Sequence, residues 1–234
     1  AIDLNKITAL FEELEFKTLL QRIIKENSPI IRENVPKKTH ISQFKLFEEF
    51  SSKLEENISA NNFQFIESTK QVNEIVEKIK NERQFSFKLI SDTDDALSAK
   101  IIGLGLGCQN SGYYIPFNNI NKGHFKRLFE NEKLKVIGFD LKFSIKALHA
   151  NNIQIKGTLF DVQIAHYLLH PDLRNSLDII SENYLAIRLK ETSLLLGKEK
   201  TKLLFSEVEK SLITNYACER AVTIFNLYKI LEKE

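Results

Sequence analysis

Three β-prone runs follow one another closely: Phe85–Ile90, Lys100–Leu106 and Gly112–Ile115. Turn-forming Ser-Asp-Thr-Asp-Asp and Gln-Asn-Ser-Gly separate them, residues whose side chains and backbone freedom favour reversals. Parallel neighbours would need a crossover of a dozen or more residues, so these runs predict an antiparallel meander. A different rhythm comes next. A helical pattern from Asn121 to Phe129 precedes a strand at Leu134–Ile137. A helix over 141–149, a short strand at Thr158–Phe160 and a helix from Asp161 to Leu169 follow. Strand alternating with helix is the crossover unit of parallel pairing. The chain therefore predicts an α/β fold: a mixed five-stranded sheet, three strands antiparallel and two parallel, with helices on both faces.

The flanks are read from periodicity. Phe63-Gln64-Phe65-Ile66 alternates as a strand does, and Ser68 or Thr69 can cap a helix carrying Val72, Ile75, Val76 and Ile79. From Ser176 onward the pattern is helical, ending in a long helix from about Glu207 to Leu231. The opening differs. Ile7, Leu10, Phe11, Leu14, Leu19, Leu20, Ile23 and Ile24 recur at three- and four-residue spacings. Asn27-Ser28-Pro29 and Pro36–His40 then interrupt, and Phe44, Phe47, Phe50 and Leu54 mark a second short helix. Residues 1–57 read as a helical linker that cannot bury a core alone, and residues 58–234 as the α/β domain.

Composition excludes several classes. With 33 basic and 31 acidic residues the net charge is +2, too small for a polybasic nucleic-acid binder. No apolar stretch approaches the roughly 18 residues of a membrane span, so a cytoplasmic protein without a membrane partner is expected. Cys108 and Cys218 stand far apart among apolar neighbours and read as two buried thiols. The chain has no Met, which suggests a piece of a longer polypeptide.

Particular runs go further. Leu177-Asp178-Ile179-Ile180, Tyr184-Leu185, Lys190-Glu191 and Gly197-Lys198 resemble the helical part of the 3′–5′ exonuclease (proofreading) domain of bacterial family A DNA polymerases. The stretch Phe85–Phe117, with Ile102-Gly103-Leu104 and Tyr113-Tyr114-Ile115-Pro116-Phe117, resembles that family too, as do Gly157-Thr158-Leu159-Phe160-Asp161 and Tyr216-Ala217-Cys218-Glu219. Leu10-Phe11-Glu12-Glu13-Leu14-Glu15-Phe16 looks like the linker from that family's upstream 5′ nuclease. The resemblance covers almost the whole chain. It implies a ribonuclease-H-like (DnaQ-like) exonuclease fold, partners in cis in the polymerase and 5′ nuclease domains, and DNA met through the parent polymerase.

The active family uses four carboxylates that hold two Mg ions about 4 Å apart, one activating water and one stabilising the leaving oxygen. They stand as Asp-x-Glu on the first strand, as the Asp of Asn-x-x-[Phe/Tyr]-Asp, and as the Asp of Tyr-x-x-x-Asp on the last helix. At the matching positions this chain has Lys88, Ile90, Ser144 and Arg220. Lys88 and Arg220 bring positive charge where four negative charges would face two divalent cations. At an effective dielectric near 20 and 4 Å, each unit pair is worth about 4 kcal/mol. The resemblance thus implies a degenerate site with no catalytic residue, no metal and no cofactor in this segment. Its expected role is architectural. Lys88 or Arg220 is expected to pair with Asp140, Asp161 or Glu219.

An alternative keeps the enzyme, with a relocated acidic site at Asp92, Asp94, Asp140 and Asp161. Against it, Asp92-Thr93-Asp94-Asp95 falls in a turn where Asp serves the backbone, and Asp161 stands where a helix cap belongs. A free-standing degenerate nuclease fold that binds protein is a third reading. His40, His124, His149, His166 and His170 show no metal-ligand spacing beyond an i, i+4 pair that lacks the acidic partner of zinc motifs. Residues 122–146 carry seven Lys/Arg against Glu130, Glu132 and Asp140, a local +4 that suits either a solvated face or weak contact with single-stranded DNA. Lys142, Lys146 and Tyr216 are the candidate contacts, although Tyr216, which orients water in the active family, reads more simply here as a packing residue.

Overall fold

Ser68 and Gln71 cap the first helix reciprocally: the Ser68 hydroxyl accepts from the Gln71 amide, and the Gln71 side chain accepts from the Ser68 amide. Behind that cap, Val72, Ile75, Val76 and Ile79 form one buried stripe. The computed structural model describes residues 62–109, 111–197 and 203–234. The expected linker helices, and its boundary at residue 57, lie outside the described residues.

The elements are β1 (Asn62–Phe65), α1 (Thr69–Glu82), β2 (Gln84–Ser91), β3 (Ile101–Cys108), β4 (Ser111–Pro116), α2 (Asn119–Phe129) and β5 (Lys135–Gly138). Then come α3 (Leu141–Ala150), β6 (Thr158–Asp161), α4 (Val162–Leu169), α5 (Leu177–Leu185), α6 (Thr192–Leu196), a 3₁₀ turn at Phe205–Glu207 and α7 (Lys210–Leu231). β2, β3 and β4 form the antiparallel meander, and β5 and β6 extend it in parallel from β2. Among the described residues the sheet has six strands, in the order β1-β4-β3-β2-β5-β6, and not five. The added strand is β1, whose alternating residues pair in parallel with β4 some fifty positions later.

Strand alternation sorts the two faces. Phe85, Phe87 and Leu89 of β2 point with Leu104 and Leu106 of β3 into a core closed by α1, α2 and α3. The opposite face receives α4, α5 and α7, whose Val162, Ile180, Ile224 and Phe225 cluster with Ile137. Helix α7 lies flush on β3 because that face of the strand is glycine. A Cβ at Gly105 would run into the Ala217 carbonyl, and one at Gly107 into Ser86 and the Ala221 backbone. The Ser86 hydroxyl sits under α7 and donates to the Ala221 carbonyl at 2.6 Å. Cys108 and Cys218 are free, fully buried thiols, both pushed up to about 12 by burial.

Candidate functional site

On β2, Ser86, Lys88 and Ile90 alternate with the core-facing residues and therefore look toward α7. Ile90 is fully buried in a cluster with Tyr114, Tyr216, Ala217 and Cys218. Lys88 lies between that cluster and Ser86, opposite Gly105 in the β2–β3 register, which brings its amine to the part of α7 that carries Arg220. Burial is the first cause that pulls the Lys88 amine below its ordinary value, and the positive charge of Arg220 is the second. Asp140 and Asp178 act in the opposite sense.

Arg220 is 4% exposed. Its guanidinium donates to the Lys190 carbonyl at 2.5 Å and lies 3.6 Å from the Glu219 carboxylate. It also covers the Tyr216 ring, 3.7 Å from the centroid. The expected salt bridge in this neighbourhood is thus Arg220–Glu219, and among the described residues Lys88 has no carboxylate within ion-pair distance. Burial raises the Glu219 carboxyl above its usual range; Arg220 and Lys190 oppose the shift and Asp178 adds to it. Tyr216 shares a 2.8 Å hydrogen bond with Thr192 on α6, and Phe205 tilts against its ring at 5.5 Å. With one ring face under a guanidinium and only 8% exposure, Tyr216 offers little platform for a base.

Ser144 is buried on α3, beside Leu141, Ala147 and Leu148 of the opposite core. Lys88, Ile90 and Arg220 share the α7 face. Asp178 and Lys190, which sequence reading placed only in family-like runs, complete the charged neighbourhood. No local pattern marks them as its members.

Three of the four acidic residues of the alternative site, Asp92, Asp140 and Asp161, have other partners, and Asp94 is exposed in the loop after β2. Asp92 accepts from the Ser206 amide at 3.2 Å and from its hydroxyl at 2.8 Å. Asp161 caps α4 through the Gln163 and Ile164 amides, while its other oxygen takes the Leu141 amide at the start of α3. Asp140 adopts φ 53°, a left-handed conformation tolerable for Asp, and accepts from the Phe143 amide. Asp140 and Asp161 thus meet at the start of α3, while Asp92 is tied to the 3₁₀ turn. Among the described residues no three His, Cys, Asp or Glu side chains are grouped to hold a metal ion. Nor is any helix there long and apolar enough to cross a membrane. The residues present do not fit a pair of divalent cations: a half-buried Lys88 and a buried Arg220 lie nearby, and the carboxylates of Asp92, Asp140, Asp161 and Glu219 serve the 3₁₀ turn, helix ends or Arg220.

Lys142 and Lys146 lie away from Tyr216, on the exposed side of α3. There they line a groove with Leu141, Ile145, Leu159, Ile164 and Leu168.

A mixed sheet in this order, packed on both faces by helices, defines a ribonuclease-H-like α/β domain. RNase D of Trypanosoma brucei, solved with RNA U12, superposes with a TM-score of 0.65 at 12% identity over 79% of this chain and 67% of that one. The POL domain of Pol1 from M. smegmatis, solved with DNA primer-template and dNTP, gives 0.57 at 15% identity over 72% of this chain and 27% of that one. Residues 87–227 match the family described as DNA polymerase I, ribonuclease H-like domain, and the chain belongs to that family. DNA polymerase I of Borreliella burgdorferi is 26% identical over 98% of this chain and 26% of its own length. DNA polymerase I of Bacillus subtilis is 32% identical over 35% of this chain and 9% of its own. The chain spans about a quarter of the length of the Borreliella relative.

Proposed function

We propose that this domain is a structural member of a DNA polymerase I that has no 3′–5′ exonuclease activity of its own. The observation that carries the reading is the pairing of Lys88 and Arg220 on the face of the sheet that α7 covers, where the resemblance calls for metal-binding carboxylates. Arg220 ties α7 to the α5–α6 connection through Lys190 and to Tyr216 beneath it, so the side chain that displaces metal also holds the helices together. On this reading the domain spaces and supports a polymerase and a 5′ nuclease in cis, in the cytoplasm, and meets DNA through that parent protein. Magnesium-dependent nucleotide addition belongs to the polymerase portion. Any contact of this segment with single strands is weak, because the Tyr216 ring is covered by the Arg220 guanidinium and almost fully buried.

The test is a gel assay of end-labelled single-stranded DNA with the purified chain, with Mg and Mn in separate reactions. Asp92→Ala/Asp94→Ala serves as the control for contaminating nuclease. The expected result is full-length substrate in both metals. Metal-dependent shortening that the control abolishes would overturn the proposal in favour of the acidic turn after β2.

A further inference from the structure

We propose that the open edge of the sheet at β6 is a docking groove for a short amphipathic peptide carrying carboxylates beside its apolar residues. Among the described residues β6 pairs only with β5 and ends the sheet. On either side of it α3 and α4 stand apart and leave a groove of about 610 Å³. Leu159 is 45% exposed, Ile164 58% and Leu168 74%, so three large aliphatic side chains meet water on one concave surface. Ile164 and Leu168 are one turn apart on α4, as are Lys142 and Lys146 on α3. An apolar strip therefore runs beside a basic one, the arrangement that receives the face of an amphipathic helix.

Charge decides the partner. Lys142 and Lys146 are exposed, and among the described residues neither has a carboxylate within ion-pair distance. Asp161 also lines the groove, but its carboxylate accepts the Leu141, Gln163 and Ile164 amides and is turned to the helix ends. The basic strip thus has no ion pair of its own, Asp95 reaching Lys146 only through space, and a partner with Asp or Glu flanking its apolar anchors satisfies both strips. A nucleic-acid strand satisfies only the lysines. The lining is mainly aliphatic, and the Phe160 ring is engaged edge-on with Tyr228, 4.9 Å between centroids. A second copy brings the same two lysines and the same helix-bound Asp161, and so adds no free carboxylate from this groove to the strip.

The 234-residue chain is titrated against three fluorescein-labelled probes, read by anisotropy. They are a peptide with Leu at helical spacing and Glu elsewhere, the same peptide with Lys for Glu, and oligodeoxythymidylate of equal length. The acidic peptide is expected to bind at least about tenfold more tightly than the lysine peptide. Ile164→Asp/Leu168→Asp abolishes its binding without changing the circular dichroism spectrum, both positions being exposed. Lys142→Glu/Lys146→Glu reverses the preference between the peptides. Oligonucleotide binding that the aspartate pair leaves intact and the glutamate pair removes, with no peptide bound, overturns the proposal in favour of a phosphate-binding strip. Peptide binding unchanged in both variants overturns it as well. So does sedimentation showing that the groove is closed by self-association. None of these outcomes depends on whether the domain is a nuclease.

Discussion

The guanidinium of Arg220 lies over the ring of Tyr216, one turn away on α7, at 3.7 Å from the centroid. With the Lys190 carbonyl and Glu219 as its other partners, Arg220 is a buried cation whose Nη2 is hydrogen-bonded and whose Nη1 is not, and it is adjoined by a second cation, Lys88.

The two cations are not equivalent, and substitution separates them. Arg220→Met removes the cation–π contact and the bond to Lys190 and leaves the half-buried Glu219 carboxyl without its ion-pair partner, so a loss of about 3 kcal/mol is expected. Lys88→Met removes an amine that burial and Arg220 both disfavour, so stability rises by about 1 kcal/mol. Urea unfolding of the two variants should move the midpoint in opposite directions. Equal losses would show that Lys88 is as firmly compensated as Arg220.

Glycine on β3 sets how closely α7 approaches. Gly105→Ala places a methyl group against the Ala217 carbonyl and is expected to cost about 1–3 kcal/mol as the helix is pushed off the strand. Gly123 is the internal control. It lies inside α2 with nothing within 4 Å of a new Cβ, so Gly123→Ala should stabilise by roughly 0.5–1 kcal/mol. Thermal unfolding of the pair reads both signs.

The same close packing explains what the sequence made legible. Phe85, Phe87 and Leu89 alternate with Ser86, Lys88 and Ile90, and turn residues punctuate the meander, so the central sheet is written locally. β1 is written locally as a strand, but its pairing with β4 depends on a register between Phe63 and Gly112 that no short window contains. The charged neighbourhood behaves likewise. Lys88 and Arg220 were visible as residues at matched positions, while Asp178 and Lys190 reach them only through the packing of α5 and α7. The charge count over residues 122–146 showed a basic segment. It gave no sign that Asp161 is turned to helix amides or that Lys142 and Lys146 border apolar side chains.

Asp161 joins two helix starts with one carboxylate, accepting from Leu141 at 2.8 Å, Gln163 at 2.9 Å and Ile164 at 3.4 Å. Asp161→Ala strands three amides and is expected to cost about 2 kcal/mol or more, beyond an ordinary cap. Asp161→Asn keeps one acceptor and recovers part of that loss. Hydrogen exchange should report faster amides at both α3 and α4 in the alanine variant. Acceleration confined to α4 would mean that the Leu141 bond contributes little.

His166 supplies a pH dependence with a defined sign. Its ring is fully buried on α4, both nitrogens lack a hydrogen-bond partner among the described residues, and the His170 ring lies tilted against it and the Tyr184 ring edge-on, at 5.6 and 5.7 Å. Burial, then the neighbouring His170, hold its pKa below the ordinary histidine value of 6.5. The unfolded chain therefore takes up this proton first as pH falls. Stability is complete above the unfolded value and declines from about pH 6.5 down through the lower folded pKa. Glu219, whose carboxyl is raised by burial, works the other way and regains stability on acidification. The His166→Phe variant isolates the histidine contribution. Between pH 7 and 5 its unfolding midpoint should fall less than that of the parent chain, and parallel curves would assign the acid sensitivity to other groups.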